Sequence, residues 1–237
     1  MEIWKFLILF FSAFLGGIAI FLVKSDKSAL LKLILSFSGA YLFAITVLHL
    51  IPEAYSGTDS EEIGIFILIG FLFQVLLEQF SQGVEHGHIH RHHDHDRQFP
   101  WGIMLSLCLH AFLEGMPLAR DRQNELIFGI SLHHIPAAFA LASILLQNKF
   151  RGGLLLLCVG VFAIMAPLGY YVSLGLSNGT IGGVESYFNK IMGIVIGIFL
   201  HISTTILFES SMDHKVNKRK MIAVLLGIGI AVAGTYL

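Results

Sequence analysis

Apolar residues crowd into eight stretches, at 3–23, 29–52, 61–80, 101–119, 127–147, 153–175, 186–208 and 220–237, each parted from the next by a polar break. Each is near the length an α-helix needs to cross about 30 Å of hydrocarbon. Backbone in lipid has to satisfy its own hydrogen bonds, so the stretches predict eight transmembrane helices. The breaks are short, apart from Ser81–Phe99 and the Gly/Ser/Asn region at 175–185. The pattern therefore predicts one all-α membrane domain over 1–237, with no soluble module. The opening MEIWK and the apolar run to Val23 look like a signal peptide. The segment lacks a clear small-x-small cleavage site before Lys24, and it is expected to be the first span.

Charge in the breaks sets the expected orientation. Lys24, Lys27, Arg91, Arg97, Lys149, Arg151, Lys215, Lys218, Arg219 and Lys220 all fall in the odd-numbered breaks. The even-numbered ones hold only Arg120 and Arg122, with Lys190 entering the seventh span, and the second is acidic at Asp59, Glu61 and Glu62. By the excess of Lys and Arg on cytoplasmic loops, the odd breaks face the cytoplasm and both termini lie outside the cell or inner membrane.

The pattern is violated most sharply between Leu109 and Ala142, in the fourth and fifth spans. His110 and Glu114 are four apart and share a helix face, and His133 occupies the matching place in the next span. The segments repeat as H-x-[FI]-x-x-[GA], over His110–Gly115 and His133–Ala138. A charged group at mid-bilayer costs on the order of 2.5–3.5 kcal/mol on insertion scales, so a compensating ion or water path is expected. Two imidazoles and a carboxylate suit a borderline divalent metal, zinc first. A buried polar cluster that ties two helices together is the other reading. Pro117 and Pro136 follow Glu114 and His133 by three and remove donors from the carbonyls of Leu113 and Leu132. Irregular backbone at membrane depth belongs beside a cavity, and freed carbonyls can ligate a cation. His134 lies about 100° round from His133, so it either completes the coordination or faces a neighbour.

Other polar groups within the spans are weaker candidates. His49 and Glu53, four apart at the end of the second span, either line an entrance for cations or anchor the helix at the interface. Glu78 reads as a snorkelling carboxylate, His201 as a helix–helix contact, and Glu209 as an exit-lining group. The small residues Ala223, Gly227 and Ala231 permit close packing, within the chain or in a homodimer. The loop at 81–99 carries His86, His88, His90, His92, His93 and His95 with Asp94 and Asp96. It has no core-forming residues, and capture or sensing of metal on the cytoplasmic side is the functional reading, against a plain solvated linker.

Composition adds exclusions. Only 13% of the 237 residues are charged and the formal net charge is −1, while the mean hydropathy is +0.77. A bilayer partner follows, and no nucleic-acid footprint. Cys108 and Cys158 both lie in apolar spans, so no disulfide framework is implied, and Cys108 points about 200° away from His110. No glycine-rich phosphate loop is present, so neither an ATP site nor an organic cofactor is expected.

The motifs resemble the ZIP (Zrt/Irt-like) family of divalent metal transporters, over nearly the whole chain. The family's fourth span carries H-N-x-x-[DE]-G, matched by His110-Ala111-Phe112-Leu113-Glu114-Gly115. Its fifth carries H-[NDE]-x-P-[EH]-[EG], matched by His133-His134-Ile135-Pro136-Ala137-Ala138. HLIPE at His49–Glu53, Gly70, Phe71 and Glu78, and the histidine-rich loop also fit. The resemblance implies an eight-helix 3+2+3 bundle, with inverted repeats around spans four and five and a rocking or elevator-like motion. It also marks departures: Ala111, Ala137 and Ala166 stand where the family has an asparagine and two glutamates. What survives is a mononuclear set of His110, Glu114 and His133, suited to Zn²⁺, with Fe²⁺, Co²⁺ or Ni²⁺ as other occupants.

The function expected from these readings is a metal importer rather than an enzyme. A non-transporting metal sensor is the alternative suggested by the missing second site. A zinc-dependent intramembrane hydrolase is disfavoured because no further general base stands near the motif.

Overall fold

The computed structural model describes residues 3–22, 28–56, 60–81, 83–84, 99–119, 124–177, 188–209 and 218–236. The six loop histidines lie outside the described residues. All regular structure among the described residues is helical: α1 Ile3–Ile18, α2 Ser28–Ile45, α3 Ile51–Tyr55, α4 Ser60–Ser81, α5 Trp101–Gly115, α6 Asn124–Gln147, α7 Gly153–Ser177, α8 Phe188–Glu209 and α9 Lys218–Thr235. α2 and α3 form one span, Leu30–Tyr55, so the nine helices make eight passes. Seven are long and apolar enough to cross a bilayer by length and composition. The eighth, α9, opens with three basic residues and is apolar thereafter.

Besides a 3₁₀ turn at Ala19–Phe21 that ends α1, two local departures from regular helix among the described residues involve a proline. Between α2 and α3, residues Thr46–Leu50 form a π-helical turn in which the Ile51 N–H bonds the Thr46 carbonyl. Pro52 follows immediately in the first turn of α3. Its ring cannot accommodate the carbonyl four residues back in a tight α-turn, and the wider turn relieves that clash. After α5, Pro117 sits in a 3₁₀ turn over Met116–Ala119. The expected kink at Pro117 is therefore a helix end. The Leu113 carbonyl, expected to be free, accepts the Met116 N–H. Pro136, by contrast, lies inside a continuous α6 and has no N–H to give Leu132. The fifth span begins at Asn124, three residues earlier than its apolar pattern suggests.

The helices pack in pairs: α4 on α8, α2 on α9, α1 on α6 and α5 on α7. Exchanging α1 with α7, α2 with α8, α4 with α9 and α5 with α6 turns the first pair into the second and the third into the fourth. That is the exchange symmetry of an inverted repeat folded around α5 and α6. Glycine makes all four pairs possible. A Cβ on Gly70 would lie 1.9 Å from the Ile194 carbonyl oxygen, one on Gly115 2.0 Å from that of Ala166, one on Gly16 2.7 Å from that of Ile135, and one on Gly227 2.5 Å from that of Phe37. Without an aqueous driving force between helices, such close approach supplies the dispersion contact that holds them. The small stripe on α9 is thus used within the chain: Gly227 faces α2 and Ala231 is fully buried.

Of three apolar clusters of buried residues among the described ones, the two largest border the polar groups of α5 and α6. One cluster draws Ile45 and Leu50 from the α2 span, Met116 and Leu118 after α5, Leu126, Ile127 and Ile130 from α6, and Val195, Ile196 and Phe199 from α8. The other draws Ile103, Leu107 and Ala111 from α5, Ala137, Leu141 and Leu145 from α6, and Val159 and Phe162 from α7. Along α6, Ser131, His133 and His134 lie between the two clusters among apolar residues, and α5 brings His110 and Glu114 against them.

Gly70→Ala should destabilise the detergent-solubilised protein by about 1–3 kcal/mol, because backbone rather than a yielding side chain blocks the new methyl. Gly229→Ala, where a Cβ meets nothing within 4 Å, should not lower the unfolding temperature. Thermal unfolding followed by intrinsic fluorescence compares the two, and equal stability would contradict the close pairing of α4 and α8.

Candidate metal centre

His110 and Glu114 stand one turn apart on α5, on the face turned toward α6. Both are fully buried, as is His133. The helix continues past Glu114 only to Gly115, whose missing side chain lets the α7 backbone at Ala166 come against the same end of α5. From α6, His133 and His134 enter the polar layer one turn before Pro136. The rings of His110 and His133 meet edge to face with centroids 5.9 Å apart.

His110, Glu114 and His133 each offer one donor atom, and the three atoms lie within 4.8 Å of one another. Donors around a tetrahedral zinc at about 2.0–2.2 Å are about 3.4 Å apart. His110 Nε2 and Glu114 Oε1 are already separated by 3.4 Å. Among the described residues, neither ring nitrogen of His110 nor Oε1 of Glu114 has a hydrogen-bond partner. Buried polar atoms are paired in the great majority of cases, and each exception calls for an explanation. A lone pair on an imidazole and another on a carboxylate, converging in a dry interior, suit a divalent cation. His133 offers a third donor within the same 4.8 Å.

The other carboxylate oxygen is occupied. Glu114 Oε2 lies 2.7 Å from His134 Nε2, and the His134 ring rests on Phe162 with centroids 5.5 Å apart. Sequence spacing alone left His134 either a ligand or a neighbour's partner. The fold directs it to Glu114, because α6 brings consecutive residues to two sides of the same carboxylate.

The remaining sequence candidates lie apart from this group. His49 is on the π-turn and pairs through Nε2 with Thr235 Oγ1 at 3.0 Å, tying the α2 span to the end of α9. Glu53 is half-buried on α3. The π-turn adds a residue between them, so the one-face register of a regular helix does not hold. Glu78, expected to snorkel, instead approaches His201 of α8, with Oε2 and Nε2 3.4 Å apart, and the Phe71 ring meets the His201 ring at 4.9 Å. Ala111 and Ala166 are fully buried and Ala137 nearly so.

Comparison with known proteins bears on the whole of this arrangement. The family model for the ZIP zinc transporter matches residues 86–233, from the histidine-rich loop to near the end of α9. The zinc transporter ZIP1 of the pufferfish Takifugu rubripes is 26% identical over 163 residues, covering 64% of this chain and 52% of that protein. The zinc transporter ZIP1 of Danio rerio is 27% identical over 162 residues, covering 63% of this chain and 52% of that protein. The chain thus spans about half the length of these two relatives. The zinc transporter YKE4 of Saccharomyces cerevisiae is 27% identical over 248 residues, covering 88% of this chain and 72% of that protein. With the matched region running through α5 and α6 and their paired histidine–proline turns, this chain belongs to the ZIP zinc transporter family.

Proposed function

We propose that this protein carries a divalent metal ion, zinc first, across the membrane, and that the ion pauses at a single position held by His110, Glu114 and His133. The observation that carries this reading is the convergence of His110 Nε2, Glu114 Oε1 and a His133 nitrogen, all fully buried, with no hydrogen bond to the His110 nitrogens or to Glu114 Oε1 among the described residues. Two nitrogens and one oxygen favour Zn²⁺ over harder ions. An open fourth position lets the ion leave, which a carrier requires as much as binding. The relatives named zinc transporters support the same cargo.

The basic odd-numbered loops favour cytoplasmic delivery, with both termini on the far side. The histidine-rich loop then waits on the side of release, where its clustered imidazoles would hold incoming metal. Hydrolysis is disfavoured: Glu114 has one oxygen for the ion and gives the other to His134, which leaves it no part as a general base. With alanine at 111, 137 and 166, the neighbourhood offers few donors for a second ion.

In proteoliposomes loaded with the purified protein, radiotracer Zn²⁺ uptake should fall by at least tenfold in His110→Ala and in Glu114→Ala, since losing even an outer-shell partner of a metal ligand costs about 10–100-fold. Undiminished uptake in both would discard the carrier mechanism. Binding without flux in the wild-type protein would favour a sensor.

Anomalous scattering from metal-soaked crystals should place one zinc between α5 and α6. Two ions a few ångströms apart would overturn the mononuclear assignment.

A further inference from the structure

We infer that His134 sets the metal preference of the site by holding one oxygen of Glu114 away from the ion. The inference rests on His110, Glu114 and His133 being the metal position. It concerns a residue that contributes no bond to the metal.

A carboxylate can meet a cation through one oxygen or two. Larger, hard cations with high coordination numbers gain from the two-oxygen mode, whereas zinc is content with one short bond in a four-coordinate site. Glu114 has both choices in principle. Its Oε2, however, is 2.7 Å from His134 Nε2, and both groups are buried to 1% exposure or less. At that distance one proton lies between the two atoms. Whichever atom carries it, the Nε2 lone pair is not available to a metal and Oε2 is engaged. Oε1 is left as the only free oxygen, and it already stands 3.4 Å from His110 Nε2, the edge length of a small tetrahedral site.

The bond is difficult to surrender. Both side chains are buried to 1% exposure or less, so breaking it would strand an acceptor or donor away from solvent. Phe162 backs the His134 ring and limits its retreat. Glu114 therefore holds Oε1 toward His110 while Oε2 is turned to His134, and an ion that draws on both oxygens has to compete with that bond. Mn²⁺, which suits carboxylate and water ligands in octahedral geometry, is the natural competitor to set against Zn²⁺.

The test is competitive Zn²⁺ and Mn²⁺ binding to the full-length protein in detergent, counting only the component that His110→Ala removes, which leaves loop-bound metal out. His134→Phe keeps a ring against Phe162 and removes the donor. It should lower the Zn²⁺-over-Mn²⁺ affinity ratio by about tenfold, as loss of an outer partner of a metal ligand does. His134→Asn, too short to reach Oε2, should do the same should the Phe variant fail to fold. His134→Gln, whose amide can donate at similar reach, should return the ratio toward the wild-type value. An unchanged ratio in the Phe and Asn variants, or an equal fall in the Gln variant, would overturn the inference. So would complete loss of the His110-dependent component in a folded His134→Asn protein, which would make His134 a ligand. Zn²⁺ flux is read separately: selective binding without flux refutes the carrier and leaves the role of His134 standing, while absence of His110-dependent binding refutes both.

Discussion

The constraint that organises this protein is the carboxylate of Glu114. It has no exposure to solvent and sits at the end of an apolar helix. Taking such a group out of water carries a penalty of several kcal/mol unless partners replace the hydration. Only part of that replacement is supplied by the fold. His134 satisfies one oxygen and fixes the plane of the group, while the other oxygen faces imidazole nitrogens with lone pairs of their own. On the function proposed above, a cation completes that replacement, and Gly115, by letting the α7 backbone at Ala166 approach, closes the end of α5 beside Glu114.

The polar layer and its two apolar flanks depend on one another. On the side of the α5 C-terminus, residues from the α2 span, α6 and α8 close over the layer, and on the other side α5, α6 and α7 do so. Water is kept from the donors on both sides, which strengthens any electrostatic interaction made there. The π-turn belongs to the first of these closures. By absorbing Pro52 without breaking the span, it keeps Leu50 in the core and lets His49 bond across to Thr235.

Much of this was legible in the chain because membrane helices announce themselves by length and hydropathy, and because ionisable residues within them stand out against lipid. His110, Glu114 and His133 were found that way, and their shared site follows from the repeated motif. The consequence of Pro117 was not legible: a proline near a span's end reads equally as a kink or a terminus, and only the Met116–Leu113 bond decides it. His134 was ambiguous for a related reason. A helix wheel gives a direction, not the neighbour found there. The π-turn had a signal in Pro52, yet proline in a span is compatible with several local remedies. The pairing of Glu78 with His201 needed the α4–α8 seam, which no periodicity along the chain could align.

The heaviest helix seams fall into two sets, although Gly129 of α6 against α2 and Gly102 of α5 against α4 also join the sets to each other. α2, α4, α8 and α9 are fastened to one another, and α1, α5, α6 and α7 likewise. Every donor of the metal position lies on α5 or α6, so all of them sit in the second group. Were that group to shift against the first as one body, the ion's coordination would travel unaltered, and its hold on the protein would be equal at the two ends of the journey. Net flow would then follow the ion's electrochemical gradient, concentration and membrane potential together, with the apolar boundary between the groups governing only how fast equilibrium is reached.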